Sequence, residues 1–262
     1  MAVQWLYLAI CTVIITTART DAQPLTDITN ETFIDICVSA HNKHRSRVTP
    51  PASDMMYMTW DQTLAKVAQK WASRCIFDHN PSLQVPYMLH PSFRAVGENI
   101  WKGWPISIFD VERAVQLWVD EVQYYSYATK RCTDVCGHYT QVVWAKSYKV
   151  GCAVHACSGK PAFAIFVCNY GDAGNFVGRH PYQQGTPCSA CPGKKCWNNL
   201  CYDPKEVKLK EYNWTSDSDQ TSNKICSPYC VSVLACRPLL LLFTVLGVLG
   251  VQKFYPNLCA YE

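Results

Sequence analysis

From residue 33 to residue 75 the apolar positions recur at helical spacing. Phe33 to Arg47 reads as one helix, ended by Pro50-Pro51. In the next helix Leu64, Val67, Ala68, Trp71 and Cys75 share one side, and Lys66, Gln69, Lys70 and Arg74 the other, with Thr59 and Asp61 as candidate N-caps. Residues 78 to 107 are broken by prolines and glycines and predict a long loop. A third helix is expected over Asp110 to Tyr124, with Val111, Val115, Trp118 and Val122 as its stripe and Glu121 at the rim. Three strand-like runs follow, 139–146, 148–156 and 162–170, with turns at Ser147 and Ser158-Gly159-Lys160-Pro161. Their spacing predicts an antiparallel meander. Helices first and strands after predict an α+β fold, with helices packed on an antiparallel sheet.

The pattern changes after Pro181. Cys188, Cys191, Cys196 and Cys201 crowd a segment with almost no core of its own, which needs crosslinks to hold shape. Residues 203–230 are mostly polar, like a stalk. Residues 231–251 are apolar apart from Ser232, Arg237, Pro238 and Thr244, and 252–262 form a short tail. The 21 positions of 231–251 span about 31 Å as a helix, which matches a bilayer core. A single-pass membrane segment is expected, with Arg237 snorkelling at its outer end. A lipid (GPI-type) anchor signal near Ser222 or Ser227 is the alternative, and a freely secreted form is the third outcome. At the other end, Trp5 to Ile15 reads as the apolar region of a signal peptide covering residues 1–22, cleaved after Ala18 or Ala22.

Composition sharpens this picture. Sixteen cysteines fit an oxidising compartment, and Cys11 leaves with the signal peptide. The net charge is only +4, with no long Lys/Arg run, which argues against nucleic acid as a partner. Asn30-Glu31-Thr32 and Asn213-Trp214-Thr215 are glycosylation sequons.

Six stretches carry a specific likeness: Trp60-Asp61, Cys75-Ile76-Phe77-Asp78-His79-Asn80, Gly97-Glu98-Asn99-Ile100, Trp118-Val119-Asp120-Glu121-Val122, Gly137-His138-Tyr139-Thr140-Gln141-Val142-Val143-Trp144 and Ile165-Phe166-Val167-Cys168-Asn169-Tyr170. In order and spacing they resemble the superfamily of cysteine-rich secretory proteins and pathogenesis-related proteins (the CAP superfamily, SCP domain), over roughly residues 33 to 180. His41-Asn42-Lys43-His44-Arg45, Gly97-Glu98-Asn99-Ile100-Trp101, Cys136-Gly137-His138-Tyr139, the segment from Cys188 to Cys201 and Tyr255-Pro256-Asn257-Leu258 are similar to the glioma pathogenesis-related group within it. The resemblance implies a three-layer α-β-α sandwich over 23–182, followed by a small disulfide-rich hinge over 183–202. It implies the pairs Cys75–Cys157 and Cys152–Cys168 and leaves Cys37, Cys132 and Cys136 unassigned. In an exported chain Cys188, Cys191, Cys196 and Cys201 are expected to be disulfides rather than a zinc knot. The further six-cysteine channel-regulating domain of cysteine-rich secretory proteins is missing. One departure stands after Tyr170, where Gly171-Asp172-Ala173-Gly174-Asn175 lacks the family's usual proline and frees the backbone.

The resemblance also implies a cleft lined by His79, Glu98, Glu121 and His138. Imidazole nitrogens suit zinc or another divalent metal, and carboxylates ligate it or orient the rings. The bland alternative is a set of polar residues satisfying one another in a groove. No Gly-x-Ser-x-Gly, His-Glu-x-x-His or Cys-Gly-Ser-Cys motif appears, so no catalytic residue is assigned. The expected function is therefore binding of a lipid or sterol, or of a cell-surface protein, with Trp101 and Trp104 beside Glu98 as the apolar contacts. A metal-dependent hydrolase, protease or esterase, using the same cleft is the alternative.

Overall fold

The computed structural model describes residues 25–207, 241–251 and 253–254. The chain divides into two compact units, Met1–Trp214 and Thr215–Glu262. The expected signal peptide, Asn213, nearly all of the stalk, and Cys226, Cys230, Cys236 and Cys259 lie outside the described residues. In the second unit residues 241–251 are helical. The first half of the expected 231–251 span is not described, and among the described residues no helix is long and apolar enough to cross a membrane.

In the first unit α1 covers Glu31–Arg45, and Asn30 caps it by accepting the Phe33 N–H at 2.9 Å. The cap moves the start two residues ahead of the expected Phe33. Strand β1 is Thr59–Trp60, and α2 is Gln62–Ala72. Asp61 is its cap, accepting the Thr63 and Leu64 N–H groups at 2.9 and 3.0 Å, whereas Thr59 belongs to the strand. Strand β2 (Gly97–Gly103) lies inside the expected long loop. Helix α3 (Val111–Asp120) continues as a 3-10 turn, Glu121–Tyr124, so Val122 leaves the stripe and is 44% exposed. Next come β3 (Tyr125–Ser126), β4 (Arg131–Cys132), α4 (Gly137–Val142), β5 (Lys149–Cys157) and β6 (Phe163–Gly171). The unit ends with β7 (Lys195–Trp197), β8 (Leu200–Tyr202) and the short α5 (Pro204–Val207).

The main sheet runs β1-β5-β6-β2. β5 pairs antiparallel with β6, β6 antiparallel with β2, and β1 parallel with β5. Two expectations are corrected. The run 139–146 is not a strand, because 137–142 is helical. Its β-branched residues raise strand propensity, but tertiary contacts at both helix ends override it. The meander is also incomplete: β5 and β6 form its hairpin, and the third antiparallel strand comes from β2, upstream.

The sheet separates two helical layers. Phe166 on one face stacks on Trp118 of α3, with centroids 5.5 Å apart, and meets Phe33 of α1 edge-on at 6.4 Å. Gly151 points to the opposite face, where any Cβ would collide with the α2 backbone at Ala65 and Asp61. Glycine there lets α2 lie directly on the sheet. The result is the three-layer α-β-α sandwich.

Five disulfides crosslink the described residues. Cys75–Cys157 joins the segment after α2 to the end of β5, and Cys152–Cys168 bridges a register pair of β5 and β6. Cys132–Cys136 closes the loop before α4, while Cys188–Cys196 and Cys191–Cys201 staple the β7–β8 hairpin. That hairpin turns through Asn198 and Asn199, both at positive φ (47° and 63°), as a tight primed turn requires. Cys37 is a buried free thiol.

The guanidinium of Arg45, the last residue of α1, is buried and donates to the carbonyls of Met56, Val142, Trp144, Ala145 and Ser147 at 2.7–3.2 Å. Burial pulls its pKa down to about 9, so it stays charged at neutral pH with carbonyl dipoles in place of water. Replacing it with methionine strands those buried carbonyls. We expect Arg45→Met to cost about 3–5 kcal/mol in denaturant unfolding. Arg45→Lys should recover little, because an ammonium cannot reproduce the planar fork. A loss below about 1 kcal/mol in Arg45→Met would show that the carbonyls find other partners.

Candidate functional site

Two histidine–glutamate pairs flank the edge strand β2. Side chains alternate along a strand, so Glu98 and Asn99 leave β2 on opposite faces. Glu98 Oε1 accepts from His79 Nδ1 at 3.0 Å and from the Asn80 N–H at 2.9 Å. Asn99 Nδ2 donates to the backbone oxygen of His138 at 3.0 Å. His138 Nδ1 in turn donates to Glu121 Oε1 at 2.5 Å, while Glu121 Oε2 accepts the His138 and Tyr139 N–H groups at 2.9 and 3.2 Å.

Both pairs are built alike. A carboxylate only accepts, so each Nδ1 carries the proton and each Nε2 keeps its lone pair while the ring is neutral. Each glutamate also ties down a backbone N–H of its histidine's own segment. The Glu98 side chain is fully buried, whereas that of His79 is 57% exposed. The hydrogen bond to Glu98 raises the His79 pKa above its usual value, outweighing burial. Trp118 stacks on the His138 ring at 6.3 Å, nearly parallel.

Glu98 Oε2 and both amide atoms of Asn169 are buried without a hydrogen-bond partner. The two residues oppose each other in the β2–β6 register, so they share a face. They add polar groups beside the first pair. Two imidazoles with open Nε2 atoms and a spare carboxylate oxygen are the donor chemistry of a zinc-type cation. Still, among the described residues no three His, Cys, Asp or Glu side chains stand close enough to hold a metal. The four residues form two pairs and do not make one closed ligand cage.

Sequence reasoning missed the polar chain behind the second pair. His41 Nδ1 donates to the Cys37 carbonyl at 2.7 Å, which leaves Nε2 to accept from the Tyr170 hydroxyl at 2.9 Å. That hydroxyl accepts from Asn99 Nδ2 at 3.2 Å, and the same Nδ2 holds the His138 carbonyl. Asn99 and Tyr170 lie in recognisable motifs, but nothing in their spacing marks them as partners. Their apposition is a register effect of β2 on β6. The two expected tryptophans separate. Trp101 is half-buried and packs on Phe109 at 5.5 Å, whereas Trp104 is 62% exposed. At the sequon, Asn30 is exposed and uses its Oδ1 for the helix cap.

Comparison with known proteins gives one consistent answer. The family described as CAP, cysteine-rich secretory protein family, matches residues 38–170. Glioma pathogenesis-related protein 1 of Mus musculus is 46% identical over 238 residues, covering 90% of each chain. The crystal structure of Na-ASP-1 superposes with a TM-score of 0.57 at 31% identity, over 69% of this chain and 48% of that one. The structure titled NaASP2 with Zn2+ has a TM-score of 0.53 at 26% identity, covering 70% of this chain and 98% of that one.

The buried His41 makes stability depend on pH. Burial lowers its pKa from 6.5 to about 4. Between those values the unfolded chain binds a proton that the folded chain refuses. His41's contribution is therefore complete above pH 6.5 and is lost as pH falls toward 4, by about 3 kcal/mol at the lower limit. Urea unfolding between pH 7 and 4.5 should show this decline. In His41→Gln the decline should shrink, from a lower starting stability. An unchanged slope would assign the effect to other groups.

Proposed function

We propose a binding function, from the premise that the chain belongs to the cysteine-rich secretory protein (CAP) family. The protein is exported, carries a glycan on Asn30 and another on Asn213, and is held at the cell surface by residues 231–251. Its domain engages a lipid or sterol through an apolar lip beside the polar cleft. The observation that carries this reading is Trp104, exposed just beyond the strand that bears Glu98. Ile108 is exposed in the following turn, and Phe77 is 59% exposed two residues before His79. Exposed apolar side chains suit the apolar body of such a ligand, and the histidine–glutamate pairs suit its polar head.

A zinc-type cation would take at most the Nε2 atoms of His79 and His138 from the protein, with Glu98 and Glu121 orienting the rings and oxygens of the ligand or solvent completing its shell. When bound, it would polarise an oxygen of the ligand's polar head. The two carboxylates hold the imidazoles in the required tautomer without help from it.

Sterol-containing vesicles test the reading. Residues 23–214 should bind them saturably, and Trp104→Ser should weaken binding about tenfold by removing a buried aromatic contact. Trp101→Ala is less informative, because that ring packs on Phe109. In the same samples calorimetry should show a zinc site lost in the His79→Ala/His138→Ala double variant. Vesicle binding that is absent, or equal in Trp104→Ser, overturns the lipid reading. Zinc binding that survives the double variant overturns the ligand assignment.

The anchor is tested separately. An epitope tag after Glu262 should remain on the surface-exposed protein, and phospholipase should not release the domain. Loss of the tag with phospholipase release would mean a lipid anchor instead. Loss of the tag with a soluble domain would mean that the tail is removed.

A further inference from the structure

A second cavity, of about 650 Å³, opens beside the loop after β6 and is lined by none of His79, Glu98, Glu121 and His138. It is within the size range of small-molecule pockets. Part of its wall is aromatic, built from Tyr127, Trp144, Phe176 and Tyr182, with His180 stacked on Tyr127 at 4.3 Å. Trp144 and Tyr182 are buried residues of the wall, and each is paired with a second lining ring. Trp144 meets Phe176 edge-on at 5.8 Å, and Tyr182 lies 5.0 Å from Tyr127. The Tyr127 hydroxyl donates to the Tyr182 carbonyl at 2.8 Å, which fixes the second pair.

Three cations from three separate segments also line it: Arg94 before β2, Lys146 between α4 and β5, and Arg179 after β6. All three are exposed. Arg179 is held over the Phe176 ring at 5.5 Å, so its charge stands beside an apolar wall. Two acids oppose them. Asp54 already accepts the Gln183 N–H at 2.8 Å. Burial raises the Asp172 pKa, against the opposing pull of Lys146 and His90. Among the described residues no carboxylate is paired with Arg94 or Arg179.

We propose that this cavity is a binding site for an aromatic organic anion, its flat body against the aromatic walls and its acid group toward Arg94 and Arg179. Charge complementarity selects the anion. The ring pairs favour a planar body over a flexible chain, because stacking on rigid rings costs little side-chain entropy. The site is independent of the lipid reading: no cleft histidine lines it, nor does Trp104.

The first unit contains all the described disulfides and its own core, so residues 23–214 can be tested alone. Two probes separate charge from shape: anilinonaphthalene sulfonate and its uncharged parent, phenylnaphthylamine. Calorimetry should give a single saturable site for the sulfonate. Arg94→Gln/Arg179→Gln should weaken the sulfonate about tenfold and leave the parent within about twofold, since only a charge-assisted contact is lost. Phe176→Ser should weaken both probes. Trp104→Ser and His79→Ala should change neither, which separates this site from the lip and the cleft. The substituted arginines are exposed, so an unchanged melting temperature is expected and serves as the folding control. Sulfonate binding unaffected by the double arginine variant, equal affinity for the two probes, or no saturable binding would each overturn the proposal.

Discussion

A buried guanidinium sets where α4 sits, and much of the candidate site hangs from that helix. Residues 137–142 make a helix of under two turns, far too short to persist by itself. Charges of opposite sign hold its two ends. The Glu121 carboxylate takes the His138 and Tyr139 N–H groups of the first turn, and Arg45 takes the Val142 carbonyl of the last turn together with the oxygens of Trp144, Ala145 and Ser147 just beyond. Both signs match the helix dipole, and both satisfy groups that a helix end leaves orphaned. His138 stands at one end of this clamped segment. Trp144 and Lys146, which line the second cavity, stand at the other.

Strand β2 organises the remainder. It is an edge strand, which proteins usually blunt or cover. Here its alternation divides the polar chemistry: Glu98 reaches His79 on one face, and Asn99 reaches the His138 backbone on the other. The two pairs are thereby fixed on one rigid element without being pressed together. This explains why the four residues adjoin one strand and yet do not close into a cage of three donors.

The helices were largely legible in the sequence because their apolar stripes are regular. Trp118 and Val115 point inward, and Asp61 caps α2 as its position before the stripe indicates. The sequence reading failed where non-local contacts decide. Thr140, Val142 and Val143 look like a strand, and distant groups, Glu121, Arg45, Asn99 and Asn175 among them, hold that stretch as a helix. β2 was hidden in a loop rich in proline and glycine, and its pairing partner β6 lies some seventy positions on. Arg45 appears in the sequence as one more basic residue at a helix end. Its burial depends on five carbonyls from remote segments, and no local pattern records them. The four candidate residues were reached by likeness to a family, while the pairing that joins each histidine to its own glutamate required the fold.

The interior is unusually polar where the site is built. Arg45, His41, Tyr170 and Asn99 are all nearly inaccessible to water. Buried polar networks add little net stability compared with well-packed apolar groups, and breaking one member is costly. Their benefit is a single geometry, since each partner can be satisfied in only one arrangement. The disulfides act on the other side of the balance. Cys75–Cys157 closes a loop with a sequence separation of 82 and so removes conformations from the unfolded chain. The β7–β8 segment reaches the main core only through Leu200 and gains from its two crosslinks in the same way. Covalent restraint of the unfolded state thus offsets a core that uses polar contacts to position His138 and the walls of the second cavity.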